Sequence, residues 1–123
     1  MQTVISILGQ LYSVSTKSIM DMLNEDGKCN SYSKDIHIRK LEDLFNEDES
    51  VTDEDRKVRI KEVIRHEVVH AFLYESGLDD SDEQLVDWIA KQLPKIHEVS
   101  EHIIKEVEKE YEQTTNVSDW RMG

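Results

Sequence analysis

Residues 66–70 read HEVVH, a five-residue pattern whose chemistry depends on its being helical. Residues four apart on a helix lie on one face, one turn apart, so His66 and His70 can direct both imidazoles at a single metal ion. Glu67 then lies at the edge of that ion, close enough to take a proton from a metal-bound water without becoming a ligand itself. The pattern therefore predicts a one-metal hydrolytic site.

The sequence around this motif predicts a long helix over residues 53–76. Apolar residues recur there at helical spacing, and Thr52 with Asp55 three residues later forms a capping pair at the start. Gly77 follows the last helical residue, where glycine often adopts the left-handed conformation that ends a helix. The HEVVH motif consequently falls well inside a helix, as the ligand spacing requires.

Two histidines alone hold zinc weakly, and a catalytic zinc site usually has three protein ligands and one open position. Glu83, thirteen residues after His70, is the best candidate for the third ligand. It belongs to a second predicted helix that Ser81 opens, with Gln84 three residues later completing a capping box. Glu83 is then the second helical residue, where the helix dipole and free amide groups favour the ionised carboxylate that a metal binds. Asp87 follows one turn later.

The second helix is expected to bury one apolar side and to end at a proline. The side chains expected on its buried side are Leu85, Trp88, Ile89 and Leu93. Pro94 should end or kink this helix, because proline lacks the backbone donor that the next turn needs. Apolar residues recur at helical spacing from residue 95 onward, which predicts a third helix.

Strands are predicted in the first third of the chain. Residues 3–14 are rich in β-branched and apolar side chains and indicate one strand or a short hairpin. Residues 28–41 indicate two further strands joined by a turn. The strand over residues 35–40 is expected to form the upper edge of the cleft, where an extended substrate pairs with it by strand addition.

These elements predict an α+β fold, with a small antiparallel sheet of about three strands followed by three helices. A chain of 123 residues is expected to form a single domain, here residues 1–113, with residues 114–123 as a C-terminal tail. Oligomeric state is not indicated by the sequence.

Composition limits the partners and the compartment. The formal net charge of −12 argues against nucleic acid as a partner, because phosphate binding requires a basic patch. Cys29 is the only cysteine, so an internal disulfide is excluded and a reducing compartment is expected. The sequence has neither a basic leader with a long apolar run nor a stretch of transmembrane length. We expect a cytoplasmic protein that does not bind membranes.

The motif and the residues after it resemble a known class of enzyme. HEVVH at residues 66–70, followed by EQLVD at residues 83–87, is similar to the HExxH plus ExxxD pattern of the gluzincin metallopeptidases, the thermolysin-like clan. Residues 65–95 more closely resemble small proteins encoded by bacteriophages and prophages, which carry similar HExxHAFLxESGL and NExVDWIA runs. The strong resemblance covers about a quarter of the chain. It implies a minimal zincin-like domain.

The resemblance also implies a role for each site residue. His66, His70 and Glu83 would bind one zinc ion, and Glu67 would be the general base. Asp87 would orient a ligand histidine, since a carboxylate that accepts the second imidazole N–H fixes the tautomer of the ring. The clan often has asparagine before the glutamate, where this chain has Asp82. That difference opens a rival assignment in which Asp82 helps to bind the metal.

The function expected from these residues is zinc-dependent hydrolysis of peptide bonds in a polypeptide substrate. A regulatory protein of a phage or mobile element is the specific substrate suggested by analogy. One alternative is a catalytically inactive, zinc-stabilised binding or regulatory protein, and another is a structural helical protein without a metal. The donor that stabilises the oxyanion is left open among Tyr74, Arg39, His37, His97 and His102.

Overall fold

The computed structural model describes residues 1–18, 22, 25–43 and 50–115. Its elements in chain order are β1 (Gln2–Ile7), β2 (Gln10–Lys17), β3 (Gly27–Asn30), β4 (Asp35–Arg39), a 3₁₀ turn (Leu41–Asp43), α1 (Asp53–Glu75) and α2 (Glu83–Thr115). The α+β class is confirmed. The described residues form four strands and two α-helices, whereas about three strands and three helices were expected.

The four strands form one mixed sheet in the order β1-β2-β4-β3. The β1–β2 and β3–β4 pairs are antiparallel, but β2 and β4 run parallel, so the expectation of a purely antiparallel sheet was wrong. The β1–β2 hairpin turns at Leu8 and Gly9, both at positive φ, as a two-residue turn of the primed type requires. Because β4 carries the buried Ile36 and Ile38, it takes the central position rather than an edge.

The position of β4 corrects the expected cleft edge. Residues 35–40 were expected to border the cleft, but β4 lies between β2 and β3 and has a hydrogen-bonded neighbour on both sides. The edge strand beside the cleft is β3, and β1 forms the opposite edge of the sheet. Any strand that adds to this end of the sheet would therefore pair with β3.

Both ends of α1 follow the predicted local chemistry. The Thr52 hydroxyl accepts from the Asp55 amide, and the Asp55 carboxylate accepts from the Thr52 amide, which completes the predicted capping box. At the other end Gly77 has a φ of 75°, and the Leu78 amide donates to the Leu73 carbonyl at 2.9 Å. This Schellman arrangement reverses the chain within a few residues, so α2 begins soon after α1 ends.

One face of α1 packs on the sheet. Val63 and Ala71 are buried against apolar side chains of three strands, namely Ile7, Tyr12, Ile36 and Ile38. Glu67 and His70 are buried on the same helix. Burying apolar area at about 25 cal/mol per Å² is the main stabilising contribution to such a layer, and it fixes which face of α1 is turned away from solvent.

Ion pairs join both ends of α1 to the sheet. Near its C-terminal end, Glu75 pairs with Lys34 and accepts a hydrogen bond from the buried Tyr12 hydroxyl at 3.2 Å. Toward its N-terminal end, Arg59 donates to one carboxylate oxygen of Asp26, immediately before β3, at 2.9 and 3.1 Å. These contacts fix the direction of the helix across the sheet and with it the position of the HEVVH motif.

The start of α2 packs against α1 through Val86 and Ala90, which form a second buried cluster with Val69. The predicted buried side of α2 was wrong for three of its four residues: Trp88 is 58% exposed, and Leu85 and Leu93 are also exposed. The fourth, Ile89, is partly buried and packs against this cluster. Val86 and Ala90 are four residues apart and face α1 together, since the turn before the helix sets its rotation.

The predicted third helix is the continuation of α2, which spans 33 residues and contains Pro94. The apolar spacing continues across this proline, from Ile89 to Leu93 and Ile96, and the fixed φ of proline lies close to the helical value. Helix formation by the flanking residues therefore outweighs one missing backbone donor. No helix in the described part of the chain is both long and apolar enough to cross a bilayer.

The chain divides into two compact units, Met1–Lys91 and Gln92–Gly123. The first contains the sheet, α1 and the start of α2. The second is described through residue 115 as the remainder of α2. Most of the predicted tail over residues 114–123 lies outside the described residues.

Candidate metal centre

The two histidines of the motif lie side by side on α1, with ring centroids 5.0 Å apart. Each directs its Nε2 atom at the carboxylate of Glu83: His66 Nε2 is 2.8 Å from Oε2, and His70 Nε2 is 2.9 Å from Oε1. The donor atoms of the three side chains lie within 4.8 Å of one another. The structure thus brings together the three residues predicted to be ligands, in a group that could hold a metal ion.

Glu83 reaches the histidines from the first position of α2. Its helix was expected to be capped by Ser81, but the side chain of Asp82 accepts from the Leu85 amide at 3.1 Å and caps it instead. Glu83 is consequently the first helical residue rather than the second. The carboxylate of Asp82 caps the helix and is not part of the ligand group. This position argues against the rival assignment in which Asp82 helps to bind the metal.

Each imidazole also has a carboxylate at its other nitrogen. Asp87 Oδ1 lies 3.6 Å from His66 Nδ1, at ion-pair distance, on the side predicted for an orienting residue. Asp80 Oδ2 lies 3.0 Å from His70 Nδ1, at hydrogen-bonding distance. The role of Asp80 was missed by the sequence interpretation. The one available signal was that the short loop between the ligands is rich in carboxylates.

Charge in the cluster is shared between imidazoles and carboxylates. Burial lowers the pKa of His70, but its hydrogen bonds with Asp80 and Glu83 raise the pKa by more, so the net shift is upward. Burial likewise raises the pKa of Glu83, while hydrogen bonds from His66 and His70 lower it by more. The net directions favour a protonated His70 beside an ionised Glu83. A divalent cation at the same point would replace the proton of His70 as the positive charge.

Glu67 differs from the other acids of the site in being buried, at 7% exposed. Burial raises the pKa of its carboxyl, and the nearby His66 and His70 oppose that shift. The carboxylate forms no hydrogen bond with another residue in the described part of the chain. Glu67 also lines the cleft over the ligand group, so the carboxyl of this largely buried residue lies beside the space where a metal and its water would be held.

Gly27 allows the start of β3 to pack closely against this part of α1. A Cβ atom at position 27 would lie 2.6 Å from Val63 Cγ1 and 2.9 Å from Glu67 Oε2. Both distances are shorter than van der Waals contact, so the wall of the site fits only glycine here without a shift of β3 or α1.

Gly27→Ala is expected to lower the free energy of unfolding by about 1–3 kcal/mol, because it overpacks the contact between β3 and α1. Urea unfolding of the metal-free protein measures this loss. The matched variant Val63→Ala removes the nearest clashing atom, so the new methyl group fills space that the shortened side chain vacates. The double variant should then lose less than the two single losses added together. Strictly additive losses would contradict the packing argument.

A polar cleft of about 590 Å³ opens over the ligand group. Glu25 and the start of β3 form one wall of the cleft, and α1 with the turn into α2 forms the other. The lining residues are Glu25, Gly27, Lys28, Cys29, His66, Glu67, His70, Asp80, Ser81 and Glu83. The Arg39 amide donates a hydrogen bond to the Asp26 carbonyl, so Asp26 and Arg39 are a hydrogen-bonded pair where β3 meets β4. By the alternation of antiparallel pairing, Gly27 and Cys29 direct their backbone groups away from β4 and toward the open edge.

Other residues considered in the sequence are not part of the ligand group among the described residues. Of the oxyanion candidates in the first unit, Tyr74, Arg39 and His37, none lines the cleft in the described part of the chain, and His97 and His102 belong to the second unit. Arg39 donates to the Met22 carbonyl and pairs with Asp26, and the Tyr74 ring lies 5.1 Å from Lys34 Nζ. Cys29 is half-buried in the cleft wall, where burial raises the pKa of its thiol. It is not part of the ligand group.

Comparisons of the chain with models of protein families, with curated proteins and with solved structures found no match.

Proposed function

We propose that this chain is a zinc-dependent metallopeptidase of the gluzincin type. The observation that carries the proposal is the convergence of His66 Nε2, His70 Nε2 and the Glu83 carboxylate beside a buried Glu67 that has no hydrogen-bond partner among the described residues. Two imidazoles and one carboxylate are a ligand set used by catalytic zinc, which keeps a further position open for chemistry.

His66, His70 and Glu83 would hold the ion. When bound, zinc would supply Lewis acidity at the reacting carbonyl and at the attacking water. Both histidines have the support typical of metal ligands, a carboxylate facing the nitrogen that does not bind. The same ligand set accepts other divalent ions, so zinc is the proposed rather than the required metal.

Glu67 would act as the proton carrier. Its burial raises the pKa of the carboxyl toward the range in which a group can both accept and return a proton near neutral pH. It would take the proton of the attacking water and then donate it to the nitrogen that leaves when the peptide bond breaks. Gly27 lies close against the Glu67 side chain, which leaves the carboxyl little freedom to move away from the ligands.

The substrate would be an extended polypeptide bound along β3. Gly27 and Cys29 offer outward backbone groups at the cleft, and pairing through backbone groups binds a chain with little dependence on its sequence. We extend the proposal, on the resemblance of residues 65–95 to phage and prophage proteins, to a regulatory protein of a phage or mobile element as substrate.

Elemental analysis and a peptidase assay test the proposal. The full chain, purified without chelator, should contain about one zinc per molecule. It should hydrolyse a fluorescent unfolded casein, lose that activity on chelation and regain it with added zinc. Stoichiometric zinc without any hydrolysis would indicate the inactive, zinc-stabilised alternative. Absence of zinc after incubation with the ion would overturn the metal site altogether.

Zinc affinity is expected to rise with pH near neutrality. A proton on His70 competes with the metal, and the hydrogen bonds with Asp80 and Glu83 outweigh burial to hold the His70 pKa above 6.5. In the metal-free protein this raised pKa stabilises the fold below pH 6.5, and the contribution disappears as pH rises through the folded pKa. The gain in unfolding free energy on adding zinc should therefore be larger at about pH 8 than at about pH 6. Equal gains in urea titrations would contradict the expectation.

A further inference from the structure

The two ligand histidines are supported unequally. His70 Nδ1 lies 3.0 Å from Asp80, within hydrogen-bonding distance, whereas His66 Nδ1 lies 3.6 Å from Asp87, beyond it. The other carboxylate oxygen of Asp87 pairs with Lys91 at 2.9 Å. The negative charge of Asp87 is therefore shared with a lysine, while that of Asp80 is directed at the imidazole.

We propose that Asp80 is the principal positioning residue of the site, fixing the tautomer and ring direction of His70 so that Nε2 points to the metal. The inference rests on one part of the proposed function, the binding of a metal, and does not require that the protein hydrolyses peptides. Asp80 accepts a hydrogen bond from Nδ1 only when that nitrogen carries the hydrogen. In the neutral ring Nε2 then keeps its lone pair, and Nε2 is the atom that faces Glu83.

The turn that carries Asp80 is built to hold it in place. Gly77 at positive φ closes the end of α1, and the Asp79 side chain accepts from the Ser81 amide at 2.9 Å. The Asp82 side chain then caps α2. Hydrogen bonds on both sides of Asp80 fix the backbone of the turn and hold its carboxylate near His70. The turn therefore loses little conformational entropy when a metal binds.

Zinc affinity of the full chain, measured by competition with a chromophoric chelator, tests this role. Asp80→Ala should weaken zinc binding about 10–100-fold, and Asp80→Asn should weaken it less, since an amide oxygen still accepts from Nδ1. Asp79→Asn is the matched control, because it removes the same charge one residue away and keeps an acceptor for Ser81. Asp87→Asn should weaken binding less than Asp80→Asn does.

A spectroscopic measurement separates positioning from stability. In the cobalt-substituted protein, the visible bands report ligand geometry, so Asp80→Ala should shift them whereas Asp79→Asn should not. Unfolding of the metal-free variants in urea should be nearly the same at about pH 8, because the stabilising contribution of the raised His70 pKa disappears as pH rises. Wild-type affinity in Asp80→Ala, or equal losses in Asp79→Asn and Asp80→Asn, would overturn the inference while leaving the peptidase proposal intact. If zinc affinity depends on Asp80 as expected but the wild-type chain does not hydrolyse casein, only the peptidase proposal is overturned, and a chain that binds no zinc would overturn both.

Discussion

Replacing Glu67 with Gln is expected to lower hydrolysis of unfolded casein about 10²–10⁴-fold while leaving zinc content unchanged. The amide keeps the size of the side chain but cannot carry the proton. Because burial raises the pKa of Glu67, ionisation of the carboxyl destabilises the metal-free fold as pH rises through the folded pKa. Glu67→Gln should therefore be at least as stable as wild type at neutral pH. Initial rates, zinc content and urea unfolding measure the three effects.

Glu54→Gln is the matched control for this variant. Glu54 lies in the first turn of the same helix, is exposed, and pairs with Lys57 at 3.4 Å. Exposed pairs of this kind contribute little to stability, so Glu54→Gln should keep both activity and zinc. Undiminished hydrolysis by Glu67→Gln would exclude Glu67 as the proton carrier even if the metal site stands.

His66→Ala is expected to abolish most of the stabilisation that zinc gives to the fold. For wild type, free zinc at about 100 times its dissociation constant should add roughly 2.7 kcal/mol to the free energy of unfolding, because the folded state alone binds it. With one of three ligands gone, the same zinc concentration should add little. His66 is chosen since its side chain is less buried than that of His70, so packing is perturbed less.

His102→Ala serves as the comparison for the loss of an imidazole. His102 lies on an exposed side of α2, in the second unit, and is not part of the ligand group. Its replacement should leave the zinc-induced gain in stability at the wild-type value. If His66→Ala retained that full gain, zinc would be binding somewhere other than the predicted ligands.

The parts of the fold that were predictable are those fixed by neighbouring residues. The capping box at Thr52, the glycine stop at Gly77 and the spacing of His66 and His70 depend on contacts within a turn or two. Glu83 was predicted because a catalytic zinc site usually has a third ligand, which an acidic residue at a helix start could supply, and the structure places its carboxylate beside both histidines.

The errors arose where distant parts of the chain decide the outcome. Strand order depends on which edges meet, and a pattern of alternating residues does not record that β4 pairs with β2 in parallel. The buried side of α2 depends on its rotation relative to α1, which favours Val86 over Trp88. Asp80 was missed because its role depends on the exact path of a turn, and one residue of offset would direct another carboxylate at His70.

The short turn between the helices has a consequence for the order of folding. The ligands lie within 18 consecutive residues, from His66 to Glu83, whereas β4 must find β2 across 22 residues, as in the pairing of Ser13 with Asp35. The proposed ligands need only the second half of α1 and the start of α2, while the sheet needs three separate pairings between strands. Local helical contacts form in about a microsecond or less, well before most sheets. We expect the metal ligands to meet while the sheet is still unpaired, so that zinc, if present during synthesis, acts as a folding nucleus as well as a cofactor.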